Sequence, residues 1–431
     1  MDKIKNNIST FDKTDYSIDF GDIYVVNESI KSSGLASLFN NCYLNNKDTL
    51  FSLILFRLLS KSANFFAAKW WETSFAKYLF PTAELTIPQI NNFLVDLGDK
   101  TVFNNFLPNY FNYLQTDLGL SHVLFDISRL HNEVNMTFIP SYSQYRSFYH
   151  KINLLLVNKI DCSYPLYYKY IPEHMLDISS IKDTLDEISN YNININKIIV
   201  GSDYCSENNI YPINDKNINF ITKLSPKNDI FSELLEKYVP SLESLENFIK
   251  FGHKNLFVKK ININLFNRDI NAFICLDVKK RDIEKQKFLN HVDRYMTKDY
   301  FNYALPYFGV FILASSYDIY PTEILQLYYY QYENELIFDF LKTDSDILSA
   351  RYTAPAVFKG YLFLCFLCSI VQSYLSESLK KINYTYMNAL FDLNKYHCRV
   401  YSNRLVPDVT SKEIRTIADC LSVQIPNLID L

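Results

Sequence analysis

Tyr328, Gln331, Glu335 and Lys342 are spaced to act together. On a helix that turns about 100° per residue they fall inside a sector roughly 60° wide. A carboxylate with a lysine two turns on and a tyrosine two turns back makes a polar face aimed at one place. The same face could be no more than solvated helix surface. What raises its interest is a second carboxylate earlier in the chain, Asp126, near the end of the short apolar run Ser121–Ile127. Carboxylates are the ligands that hard divalent cations select, in preference to histidine or thiolate.

These residues need elements to hold them. Thr322–Asp344 has helical composition, with Pro321 suited to a first turn. Upstream, Ile152–Val157 and Pro165–Ile171 look like two paired strands, and Asp177–Ile188 like a helix. Ile198–Val200 and Ile218–Thr222 read as further buried strands. Strands followed by alternating helix and strand describe an α/β layer with a mixed sheet. Residues 1–118 read as a helical N-terminal domain, with Leu50–Leu59 and Ala63–Leu79 apolar at helical spacing. Trp70 and Trp71 read as packing residues there, with a DNA or partner contact as the sharper alternative.

Between 226 and 319 the α/β pattern is interrupted by alternating runs at Leu256–Val258, Ile261–Leu265 and Ile270–Val278. Lys250 to Lys298 contains twelve basic residues against five acidic ones, Lys259, Lys260, Lys279, Lys280 and Arg281 among them. A local excess of that size is where a polyanion would bind, although a solvated β insertion accounts for it almost as well. The resulting division is 119–225 for the first part of an α/β core, 226–319 for a basic β-rich insertion, 320–375 for the second part, and 376–431 for a helical tail.

Composition sets limits. The chain has 431 residues, 48% of them hydrophobic, and a net charge of -4. That describes a globular protein with no global signature of nucleic-acid binding. The seven histidines lack ligand spacing, and eight glycines form no phosphate loop. Cys365 and Cys368 sit in the apolar run Gly360–Val371, without histidines or a second Cys pair, and read as buried thiols. That run is short for a bilayer, and the N-terminal residues have no apolar signal core, so the expectation is a cytoplasmic protein with reduced thiols and no membrane partner.

Together these features resemble the DDE transposases of bacterial insertion sequences, in the branch with a Tyr-x2-Arg-x3-Glu-x6-Lys signature. Tyr328, Glu335 and Lys342 match that signature, and Gln331 stands where the arginine would be. ELIFDFLKTDSDI, GYLFLCFLCSIV and LLLVNKIDCSYPLYYKYIPEHMLDISSI are also similar to the family, with Pro172 and Asp177 at its conserved turn. The resemblance runs from about Leu118 to Leu375. It implies an RNase H-like core in which Asp126 and Glu335 hold Mg²⁺ or Mn²⁺ for DNA cleavage and strand transfer, with two metals clamping the attacking and leaving oxygens. It also implies that Tyr328 and Lys342 hold DNA, that double-stranded element ends and target are the partners, and that a homodimer works on two ends, nucleoid-associated when bound.

Two departures stand out. The family's second aspartate follows the fourth core strand directly; here IIVGSDYCSENNI puts Gly201 at that place, with Asp203 two residues on as a substitute ligand. Two residues along a strand displace a group by roughly 6–7 Å. Gln331 removes the planar cationic fork of the signature arginine. The departures leave three readings open: an active transposase with a shifted triad, a transposase-derived DNA-binding protein without catalysis, or an inactive remnant.

Overall fold

A computed structural model describes residues 16–41, 46–60, 62–114, 123–134, 150–160, 164–172, 179–191, 193, 195–201, 207–226, 229–290, 305–329 and 355–430. The chain divides into two compact units, Met1–Tyr113 with Asn132–His150 and Ile337–Leu431, and Leu114–His131 with Lys151–Leu336.

The first unit is mainly helical. Lys47–Leu59 starts where the Asn46 side chain accepts from Thr49 N at 3.0 Å, meeting one of the orphan amides of the first turn. Ile87–Leu97 starts with Pro88 in its first turn and Gln89 reaching back to Thr86 N at 3.2 Å. Both helices pack on Pro355–Lys380, a 26-residue helix. The apolar run of the sequence is therefore only the middle of a longer element. Ala356–Lys380 is long and apolar enough to cross a bilayer, and 83% of its most apolar stretch is buried inside the protein. Gly360 permits the closest approach: a Cβ there would lie 1.8 Å from Leu94 O. Cys365 and Cys368 are buried thiols in this helix, as expected. Trp71 donates to Phe80 O at 3.0 Å and Trp70 packs 5.5 Å from Phe56, so both serve packing.

The expected helical tail is mixed. It contributes β11 (His397–Val400), β12 (Arg404–Pro407) and β13 (Ile429–Asp430) to a four-stranded sheet completed by β1 (Tyr16–Asp19), in the order β1-β11-β12-β13. Local alternation was too brief in strands of two to four residues to stand out from helical surroundings.

The second unit is built on a nine-stranded mixed sheet. Its strands are β2 (Val123–Val134), β3 (His150–Lys159), β4 (Pro165–Pro172), β5 (Lys197–Val200), β6 (Asn219–Lys223), β7 (Phe248–Phe251), β8 (Lys254–Leu265), β9 (Arg268–Asp277) and β10 (Val310–Ser315). The order is β4-β3-β2-β5-β6-β10-β9-β8-β7, open at both ends. β2, β5 and β6 are parallel, and β6-β10-β9-β8-β7 run antiparallel in succession. The strands of the β-rich stretch expected at 226–319 extend the same sheet, through β9 pairing with β10 and β10 with β6. Strand pairing between distant segments is a long-range event that alternation alone does not predict.

One face of this sheet carries Leu124, Ile199, Ile221, Leu313, Phe311, Phe273, Cys275, Leu256 and Val258. Residues 321–329 are helical and cover that face with Ile324, Leu325 and Tyr328. Full burial of each large apolar side chain contributes about 1.5–3 kcal/mol.

Candidate functional site at the carboxyl edge of the sheet

The parallel strands β2, β5 and β6 end on one edge of the second unit. Their registers align Phe125 with Val200 and Val200 with Thr222. One step further along the three strands come Asp126, Gly201 and Lys223. They form a row about 10 Å across, at roughly 4.8 Å per strand. Lys223 lies two residues beyond Ile221, a member of the apolar face, so it shares the face that helix 321–329 covers. Lys223 is also directly opposite Leu313, which is on that face.

The same edge continues into the antiparallel half. Asp277, at the end of β9, lies opposite Leu256 and two residues after Cys275, again on the helix-covered face. Its carboxylate is buried. Oδ1 accepts from Lys280 N at 3.0 Å, which caps the first turn of helix Val278–Asn290, and Oδ2 accepts from Tyr329 Oη at 2.9 Å. Lys254 Nζ stands 3.5 Å from Oδ2 and 4.4 Å from the centre of the Tyr329 ring. Asp277 thus ties helix 321–329 to the sheet edge. Glu284 accepts from Gly309 N at 2.6 Å, in a turn where Gly309 has φ +75 and a Cβ would meet Asp277 O at 2.6 Å.

Lys223 is half-buried and differs from its neighbours. No hydrogen bond or ion pair to a described residue engages its ammonium. Burial pushes it below the usual lysine range and the nearby Lys280 ammonium pushes the same way, with Glu284 opposing them. Lys280 itself pairs with Glu284 at 3.6 Å and lies 5.4 Å from the Phe311 ring centre.

The structure redistributes the residues expected to act. Asp126 is on β2, and Gly201 follows β5 beside it. Glu335, Gln331, Lys342 and Asp203 lie outside the described residues. Tyr328 does not face DNA: its ring is buried, 4.8 Å from Phe311 in a stacked pair. The helical stripe had placed it with polar groups, but its position over β10 makes it a core side chain.

The basic stretch is also less free than its charge suggests. Lys260 pairs with Asp318 and donates to Ile319 O at 3.0 Å, Arg281 reaches Glu243 at 2.6 Å, and Lys259 lies over the Tyr238 ring at 5.4 Å. Lys279 is exposed. Asp318 and Glu243 come from outside 250–298, so the positive excess along that stretch is partly neutralised in the fold.

Lys223 and Asp277 were missed. A lysine two residues after Ile221 in a buried strand, and an aspartate closing the buried β9, were the signals that could have found them. Among the described residues no group of three His, Cys, Asp or Glu side chains could hold a metal ion.

No family model and no curated protein matches the chain. Among solved structures, a piggyBac transposase in a synaptic complex with hairpin DNA is similar over 94% of this chain and 83% of that chain, at 12% identity and a TM-score of 0.38. Likeness of that depth assigns no activity.

Proposed function

We propose that this chain is a DNA-processing protein of the insertion-sequence transposase type, with an RNase H-like core in its second unit. The observation that carries this reading is the placement of Asp126 beside Gly201. In the family plan the first aspartate is on a central strand and the second directly follows the fourth core strand. Here β2 and β5 are the first and fourth strands of the large sheet in chain order, and they are parallel neighbours. The order β4-β3-β2-β5-β6 and the helix 321–329 over the same face support the same plan. Asp126, Glu335 and Asp203 are the proposed ligands of Mg²⁺ or Mn²⁺, with Lys342 and Gln331 as proposed DNA contacts and a homodimer as the working form on two DNA ends.

The described part of the site does not fit a two-metal centre, because glycine offers no ligand at the second position. That favours the second reading, a transposase-derived protein that binds duplex DNA without cutting it. The two are separated by incubating the full chain with duplexes from the flanks of its own gene, in Mg²⁺ or Mn²⁺, and reading nicked product and bound complex. Nicking that falls at least about 100-fold in Asp126→Ala supports the active form. Duplex binding at low salt without nicking supports the second reading, since phosphate contacts are strongest there. Absence of both overturns the proposal and leaves a remnant. Gly201→Asp is expected to raise metal affinity or nicking about tenfold; no change in either would mean that the position is not the second ligand site.

A further inference from the structure

After β12 the chain turns through residues 408–410 into helix Lys412–Cys420, which starts where the Ser411 side chain accepts from Ile414 N at 3.3 Å. Beside this turn lies a cavity of about 600 Å³, all of whose lining residues belong to the first unit. Its lining carries three charged side chains, Asp408, Arg415 and Asp419. Asp408 has a cation of its own, with Arg399 Nε at 3.7 Å. Arg415 Nε donates to Thr410 Oγ1 at 2.8 Å, which fixes the plane of the guanidinium. Its two Nη groups have no partner among the described residues. Asp419 stands one helical turn further on, a spacing that brings Cβ atoms to about 5–6 Å. No ion pair joins the two, and no other described residue engages the Asp419 carboxylate.

Tyr396 is the third polar group. It is 2% exposed, it lines the cavity, and its phenol has no hydrogen-bond partner among the described residues. Burial pushes the phenol up to about 12, so at neutral pH it is a donor. A buried phenol without a partner costs free energy that a ligand oxygen recovers. Pro407, Val423, Ile425 and Pro426 give the same cavity an apolar wall.

We infer that this cavity binds a small zwitterion with an apolar side chain, of the class of the free aliphatic and aromatic amino acids. The ligand carboxylate meets the Arg415 fork and the Tyr396 hydroxyl, its ammonium meets Asp419, and its side chain lies on the apolar wall. A ligand of one sign leaves either Arg415 or Asp419 unanswered, whereas an α-amino acid brings both signs on one carbon. An added peptide strand fits less well. β13 pairs only with Arg404 and Leu405, but the uncovered end of β12 is Pro407, which has no N–H to give. The volume is that of small-molecule sites. This site lies in the first unit and does not depend on the DNA reading of the second.

The test is thermal unfolding of the full chain near neutral pH with about 10 mM leucine, phenylalanine, leucinamide or N-acetylleucine. Leucine or phenylalanine is expected to raise the melting temperature by about 2–4 °C. Leucinamide, which lacks the carboxylate, and N-acetylleucine, which lacks the ammonium, are expected to leave it unchanged. Arg415→Gln and Asp419→Asn should each weaken leucine binding at least about tenfold in calorimetric titration, and Tyr396→Phe about threefold. Both charged positions are exposed, and the unliganded melt of each variant reports whether it folds.

A wild type shifted by neither leucine nor phenylalanine overturns the inference. An equal shift with leucinamide or N-acetylleucine does so too, because one charge then suffices. Leucine binding that is unchanged in a folded Arg415→Gln or Asp419→Asn also overturns it, by placing the ligand elsewhere.

Discussion

Asp22 and Asp277 are both buried aspartates near the start of a helix, one in each unit, and they are held in different ways. Asp22, in the first turn of Gly21–Ser32, is met by backbone amides, Ile23 N at 2.8 Å and its own. Burial pushes its carboxyl up to about 6, Asp19 adds to the rise, and the Ile23 amide and His397 oppose it. Asp277 has an amide, a phenol and an ammonium around its two oxygens. The contrast shows that burial alone does not decide what a carboxylate costs; the number and charge of its donors do. In the helical unit burial raises the carboxyl of Asp22, and in the sheet unit Asp277 joins helix and strand through three partners.

Removing the joint should have the largest effect. Asp277→Ala leaves Lys280 N without its cap and Tyr329 Oη without its acceptor, and should cost about 2–3 kcal/mol in chemical denaturation. A loss under about 0.5 kcal/mol would show that the joint contributes little.

Asp22 should behave oppositely. Its folded pKa, about 6, lies above the ordinary 3.8, so the folded state binds more protons between those values and stability falls as pH rises through that window. Asp22→Asn keeps an acceptor for Ile23 N and removes the ionisation. It should stabilise the protein at pH 7 by about 2 kcal/mol and flatten the slope between about pH 4 and 6. An unchanged slope would mean that the group is not buried in solution.

The smallest expected change is Tyr329→Phe, which removes one hydrogen bond to Asp277 while keeping the ring stacked 5.6 Å from Phe251. About 1 kcal/mol should be lost. A loss as large as that of Asp277→Ala would place the whole joint in the phenol and reduce Lys254 and the cap to bystanders.

Much of the sheet was legible beforehand. The runs at Ile152–Val157, Pro165–Ile171 and Ile198–Val200 fall inside β3, β4 and β5, and Ile218–Thr222 overlaps β6 but starts one residue early, because buried strands announce themselves as short apolar runs. Leu256–Val258 and Ile261–Leu265 looked like two strands and are one, since the intervening Lys259 and Lys260 keep the strand's alternation despite their charge. Tyr328 was misread because a helical stripe gives the direction of a side chain but not what lies beneath it. The start of that helix at Pro321 was legible from composition.

The residue types and their order along the chain are properties of the sequence alone: Asp126 on an apolar strand, Gly201 immediately after another, Lys223 at the end of a third. Those local patterns are set by short-range sterics and by alternation with a period of two. That the three stand in one row was decided only by tertiary structure, because register between parallel strands far apart in the chain follows from how their apolar faces pack together under helix 321–329. The same packing decided that Tyr328 is core, that Asp277 is a joint, and that the basic strands of 248–277 extend the sheet.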